Sequence, residues 1–267
     1  MGKVVFVSLV TAALAFGQAP SVFEGGVVNA ASFASGQAVT PGSLVSIFGS
    51  ELAGVLASAD SIPLATQLAS VSVRFNNTSA PLLAVIPQGP SNPAQVNAQL
   101  PWNVASGAAT VVVTRDGVNS QPRQFQVGPF SPGLFSFPPG EGQAIAINFP
   151  DPTLAAPRGS IPGLETRPAR IGDVVQILAT GLGALDIPLA DGHNSIDQLR
   201  RTITLPEVLV GGVPVTVEFS GMSPQFVGVN QVNVRIDNPN VPRGDRIPLQ
   251  IRVGGILSTD KVTIAVE

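Results

Sequence analysis

The chain has 267 residues, a formal net charge of −3, and only 12% charged residues against 44% hydrophobic ones. Lysine occurs only at Lys3 and Lys261 and the sole adjacent basic pair is Arg200-Arg201, so there is no clustered positive surface to track a phosphate backbone and no nucleic-acid partner is expected. With no cysteine and a single histidine, disulfide scaffolds, thiol nucleophiles and zinc sites built from Cys or several His are excluded within this chain.

The 28 glycines and 25 prolines follow no short period, which suits many short strands and argues against long helices. Met1-Gly-Lys3 is a short positive start. Val4 to Phe16 is then apolar except for Ser8 and Thr11, and Ala15 and Gly17 sit at the −3 and −1 positions of a cleavage site before Gln18. That is the three-part pattern of a secretory signal peptide over residues 1–17. The apolar stretch of about 13 residues is short for a membrane span, which needs about 20. The expectation is a secreted or cell-envelope protein with no span after signal cleavage.

In the mature chain, Gly36 and Pro41-Gly42 mark turns before a first strand in which Val45 and Ile47 share one face and Leu44, Ser46 and Phe48 the other. Residues 53–70 read as a small-residue loop. Val71 to Phe75 alternates strictly, with Val71, Val73 and Phe75 inward, and Asn76-Asn77 follows as a turn. Leu82 to Ile86, Val96 to Leu100, and a hairpin from Thr110 to Val127 turning at Asp116-Gly117 complete the first unit. Residues 128–140 interleave prolines with Phe130, Phe135 and Phe137, which reads as a packed connector since a free linker would be polar. Gly142 to Phe149 reads as a strand and residues 150–168 as a proline-rich loop.

A second copy then follows. Val174 to Leu178 matches the first strand at an offset of 130. Glu207 to Val210 with turn Gly211-Gly212 matches Ser72 to Phe75 with its turn at 135. Gln231 to Asn233 matches Gln95 to Asn97 at 136, and Gly255 to Ser258 matches Gly117 to Ser120 at 138. The offset grows only between strands, as expected of a duplicated unit whose length differences fall in loops. About seven short strand candidates in about 100 residues per copy fit an immunoglobulin-like sandwich without its disulfide. One larger sandwich or a barrel is the alternative. The fold class expected is therefore all-β, two tandem immunoglobulin-like β-sandwiches after the signal peptide. The first copy is placed at 18–128, a connector with the second copy's leading strands at 129–168, and the second copy at 169–267.

Several of these segments together resemble one family. They are Val27-Val-Asn-Ala-Ala-Ser-Phe33, Pro41-Gly42 to Leu52, Gln95-Val-Asn-Ala-Gln-Leu-Pro-Trp102, Ser131-Pro-Gly-Leu-Phe135 and Ala179-Thr-Gly-Leu-Gly183. The family is the C-terminal domain family abundant in Solibacter and related acidobacteria. Single copies also resemble IPT/TIG-type immunoglobulin-like domains. The resemblance implies an exported, β-rich module and supplies no activity and no site residues.

Chemistry is sparse. His193 lies near Ser195 and Asp197, the residue types of a hydrolytic triad, but no Gly-x-Ser-x-Gly elbow occurs and the plainer reading is a polar loop. Asp186, Asp191, Asn194 and Asp197 make an oxygen-rich stretch without EF-hand spacing. Glu141, Asp151, Glu165, Glu207 and Glu218 are the carboxylates from which a glycosidase pair would be drawn. Trp102 is read as a sandwich-end core residue, or else as a platform for a sugar ring. Asn76-Asn-Thr78 matches a glycosylation sequon but reads as a hairpin turn. No catalytic, cofactor-binding or metal residue is assigned, and no cofactor. Three functions remain in play: an exported non-catalytic module contacting a cell-surface protein or glycan, a secreted hydrolase, and a carbohydrate-binding module centred on Trp102.

Overall fold

The computed structural model describes residues 18–267, so the signal-peptide expectation for residues 1–17 lies outside the described residues. Every regular element among the described residues is a strand. The N-terminal half contains β1 Ser21–Asn29, β2 Leu44–Ser50, β3 Ala57–Ser58, β4 Gln67–Leu68, β5 Val71–Phe75, β6 Thr78–Ser79, β7 Leu82–Ile86, β8 Ala94–Gln99, β9 Gly107–Arg115, β10 Val118–Asn119 and β11 Arg123–Val127. The C-terminal half opens with five short strands, β12 Gly133–Leu134, β13 Ser136–Phe137, β14 Gly142–Ala144, β15 Ala146–Phe149 and β16 Thr153–Ala155. It continues with β17 Thr166–Arg167, β18 Val174–Thr180, β19 Glu207–Val210, β20 Val213–Met222, β21 Asn230–Arg235, β22 Gly244–Val253, β23 Ile256–Leu257 and β24 Val262–Val266.

Period-two alternation aims one face of each strand at a core. Val45, Ile47, Val73, Phe75, Val96 and Val113 meet in the first core, and Val175, Ile177, Val208, Val232, Val234 and Ile251 in the second. In the N-terminal half one sheet runs β1-β2-β8-β7-β3, and the other places β9 between β5 and the β10 and β11 returns. The C-terminal half repeats this plan. β15-β18-β21-β20 forms one sheet, and β22 lies between β19 and the β23 and β24 returns. β20 takes part in both sheets: Val213 to Val215 pair with β19, and from Thr216 onward it pairs with β21, with a bulge between Val217 and Phe219 inside that second pairing. The chain is thus two tandem immunoglobulin-like β-sandwiches.

The repeat holds at the level of single hydrogen bonds. Ile47 faces Val96 as Ile177 faces Val232, and Val73 faces Val113 as Val208 faces Ile251. Gly42 N–H donates to Leu100 O at 2.7 Å, and Gly172 N–H to Ile236 O at 2.7 Å. Ser120 Oγ accepts Val113 N–H at 3.0 Å, and Ser258 Oγ accepts Ile251 N–H at 2.9 Å. One further correspondence was hidden. Asn29 pairs with Val45 as Asn148 pairs with Val175, so β1 and β15 are the same strand of the two copies, joined to the rest by connections of different length.

Three expectations need correction. Residues 53–70 carry β3 and β4, short edge pieces with no period to announce them. Gly142 to Phe149 is not one strand; it breaks at Ile145, with β14 pairing β24 and β15 pairing β18, so the segment steps between sheets. Within the connector Phe130 packs on the second core, but Phe137 stands 65% exposed. The face of β2 turned away from its core is also covered: Leu44 is buried where its N–H meets Thr180 of the second sandwich, and Ser46 is buried with its hydroxyl donating to Asn97 Oδ1 at 2.8 Å.

Candidate functional site

The motifs that carry the family resemblance meet where the two sandwiches touch. Asn29, buried at the end of β1, donates through Nδ2 to Ser131 O at 2.7 Å, and its Oδ1 accepts Ala31 N–H at 2.8 Å. Ser131 N–H in turn donates to Gly181 O at 2.9 Å. Gly181 has φ of +81° and a Cβ there would lie 2.1 Å from Ser131 O, so only glycine fits. Thr180 Oγ1 accepts Leu44 N–H at 3.1 Å and donates to Gly228 O at 2.6 Å, tying β2, β18 and the β20–β21 loop together. Gln99, fully buried, accepts Gly192 N–H through Oε1 at 2.6 Å and donates to Gly42 O at 3.2 Å.

Residues 181–206, between β18 and β19, form a strap across this junction. Trp102 N–H donates to Asp191 Oδ1 at 2.9 Å, and Leu64 N–H to Gly192 O at 2.9 Å. The strap is stiffened by Arg200, whose buried guanidinium reaches both carboxylate oxygens of Asp197 at 2.6 and 3.0 Å, Ser195 Oγ at 3.2 Å and Pro188 O at 3.1 Å. The hydrogen bond from Arg200 holds the Asp197 carboxyl at about 2, below its ordinary 3.8. Met222 N–H donates to Arg200 O, and Thr202 N–H to Ser220 O, which stitches the strap onto β20.

Between the sandwiches lies a cleft of about 680 Å³. Its floor is formed by Leu44 and Leu83 on strands of the first half and by Leu178 on β18 and Ile145 between β14 and β15 of the second, with Phe135 and Val229 beside them. Ile62 and Phe226, 46% and 48% exposed, stand among its lining side chains, and Asp60 is the one charged residue there. Its size and largely apolar lining are those of a binding cleft, with Ser61, Gln225 and Asp60 as its polar groups.

The residues singled out for chemistry are dispersed or already engaged. His193 is exposed and makes no hydrogen bond to Ser195 or Asp197. Ser195 Oγ donates to Gln198 O at 2.7 Å, and Asp197 is taken by Arg200. Asp186 Oδ1 accepts Arg201 N–H at 2.8 Å, Asp191 Oδ1 accepts Trp102 N–H, and Asn194 Nδ2 donates to Gln225 O, so these side chains serve separate backbone partners. No group of three acidic or imidazole side chains placed to hold a metal occurs among the described residues. Glu207 pairs with Arg252 at 2.5 Å and Glu218 with Arg235 at 2.6 Å, two separate surface ion pairs. Asn76 has φ of +51° and accepts Thr110 N–H at 2.9 Å, the conformation of a turn residue.

Trp102 is half-buried. Its six-membered ring lies against Gly42, where an added Cβ would come within 2.2 Å of it, and its Nε1 is shut off from solvent without a partner. The indole therefore does not offer the flat open face that stacking on a sugar ring requires. The cleft residues Leu44, Leu178, Ile145, Ile62 and Phe226 were not singled out by the sequence. The available signal was Leu44 and Leu178 on the outward face of strands whose inward face was already apolar.

No protein-family model matches the chain, and no curated protein matches it. Solved structures do. SGBP-B of the Bacteroides ovatus mixed-linkage glucan utilization locus, in complex with mixed-linkage heptasaccharide, is 12% identical; the match covers 86% of this chain and 43% of that one at a TM-score of 0.32. SGBP-B from a complex xyloglucan utilization locus in Bacteroides uniformis is 11% identical, with coverages of 93% and 49% and a TM-score of 0.25. A tandem pair of titin immunoglobulin domains is 10% identical, with coverages of 93% and 98% and a TM-score of 0.20. The chain spans less than half the length of either Bacteroides protein.

Proposed function

We propose that the protein is an exported, non-catalytic interaction module that meets its partner through the cleft between its two sandwiches. The observation that carries this reading is the cleft itself, a large apolar hollow with Ile62 and Phe226 left exposed. Soluble proteins rarely leave a contiguous apolar surface uncovered unless something binds there. The disposition of His193, Ser195 and Asp197 argues against the hydrolase, since general acid–base work needs its groups within hydrogen-bond reach of one another. Export is supported by the signal-like residues 1–17, and a β-rich exported module by the resemblance to the acidobacterial family. A cell-surface protein or glycan is the partner class; the lining favours apolar groups over bare sugar hydroxyls.

The test compares the wild-type protein with Phe226→Asp, a change at an exposed cleft position, in glycan-array binding and in pull-down from envelope fractions. Binding that is lost in the variant while its circular dichroism is unchanged is the expected result. Turnover of ester, peptide or glycosidic substrates that depends on His193, or partner capture indifferent to Phe226, would overturn the reading.

A further inference from the structure

We infer that the junction cleft takes an extended protein segment carrying aliphatic side chains beside a single basic residue, with the cation set against Asp60; this rests on the interaction-module reading and names the chemistry of the partner. Asp60 is the one charged residue in the lining, it is exposed, and no arginine or lysine stands with it there. The aspartates of the neighbouring strap differ. Asp186 accepts Arg201 N–H, Asp191 accepts Trp102 N–H, and Asp197 is held by the Arg200 guanidinium. A cleft with apolar walls and charge of one sign focuses its field and draws in the opposite charge. The complement of this cleft is therefore cationic at one point and apolar elsewhere, since Leu44, Leu83, Ile145 and Leu178 on its floor are all aliphatic.

The mouth of the cleft favours a chain over an enclosed small molecule. Asp60, Ser61 and Ile62 come from the loop after β3, Gln225 and Phe226 from the loop between β20 and β21, and all five are exposed. A small-molecule pocket encloses most of its ligand. This mouth opens between loops of the two sandwiches and lets a segment enter and leave while its side chains reach the floor. The walls are set before anything binds. Ala59 N–H donates to Leu83 O at 2.9 Å, Leu64 N–H to Gly192 O at 2.9 Å, and Thr180 ties Leu44 to Gly228. A cleft held in this way loses little conformational entropy on docking.

Panning a random hexapeptide library on the purified protein tests the inference. Enriched sequences are expected to combine Leu, Ile, Val or Phe with one Lys or Arg. The most enriched peptide is then synthesised and titrated calorimetrically at low and high salt. Asp60→Asn is expected to weaken it about two- to fivefold, as for an exposed ion pair, and to flatten its salt dependence. Norleucine in place of the peptide's basic residue should cost the same factor on the wild type and nothing further on Asp60→Asn. Phe226→Ala should weaken binding about tenfold or more, and Ile256→Ala, on the β22–β23 hairpin, should leave it unchanged. Asp60 and Phe226 are both exposed, so an unaltered melting curve certifies that the variants fold. Enrichment of acidic peptides overturns the inference, as does enrichment of none; glycan binding lost in Phe226→Asp would then still carry the interaction-module reading. Aliphatic peptides that need Phe226 but ignore Asp60 overturn the cation's place alone, and peptides that ignore Phe226 overturn both readings.

Discussion

Ser120 and Ser258 offer the sharpest test of the duplicated architecture. Each closes a hairpin where the strand after the turn leaves the ladder, and each turns its hydroxyl back to accept a backbone N–H that would otherwise be buried without a partner. Both serines are almost wholly buried, at 4% and 6% exposure, so water cannot replace the hydroxyl. Replacing either by alanine removes the acceptor and leaves Val113 N–H or Ile251 N–H unpaired, at a cost of about 1–3 kcal/mol. For a chain of this size each kcal/mol lowers the melting temperature by roughly 2–4 °C. The two sites belong to different cores, so the double variant should show the sum of the single losses within about 0.5 kcal/mol. Urea titration and differential scanning calorimetry of the three variants measure this. Unchanged melting in both single variants would refute the claim that the hydroxyls complete the ladders.

Ile47 and Ile177 are equivalent and fully buried; Ile47→Asp or Ile177→Asp places an unpaired carboxylate in a core and should abolish folded protein, read by circular dichroism and soluble yield. Replacement by valine at either position should cost only about 0.5–1.5 kcal/mol. Gln99→Leu leaves Gly192 N–H without its acceptor and should cost about 1–3 kcal/mol. Because Trp102 is the one tryptophan and shares this junction, its emission should shift in that variant, while an unshifted spectrum would contradict the strap's anchoring. The Asp197 carboxyl, held at about 2 against an ordinary 3.8, contributes fully to strap stability above about pH 4 and loses that contribution as pH falls toward 2. A carbon-13 titration of that carboxyl should therefore give a midpoint near 2, and a midpoint near 3.8 would contradict the Arg200 ion pair.

Much of the fold was legible because alternation and turn chemistry are local. Val71 to Phe75 and Val174 to Leu178 declare their inward faces without reference to anything distant, and the Gly-x-x-Ser hairpins recur in both copies. The equivalence of β1 and β15 was hidden because only an asparagine and its spacing to apolar neighbours persist, and the meaning of Asn29 becomes visible only once Val45 is its cross-strand partner. The motifs behind the family resemblance appeared as a set without a purpose. Asn29, Gln99, Ser131 and the Thr180-Gly181 pair are far apart in sequence, and only packing of one sandwich on the other brings them to one junction. The cleft was illegible for the same reason. Leu44 and Leu178 each look like ordinary outward apolar residues until the two sheets present them to the same hollow.

The junction cleft is the surface proposed to make contact. A photoreactive phenylalanine analogue placed at position 226, and as a control at 256, allows that contact to be captured in intact cells. A cross-linked adduct is expected from position 226 and none from 256, with the attachment on the partner identified by mass spectrometry. Equal labelling from both positions, or labelling from 256 alone, would contradict it.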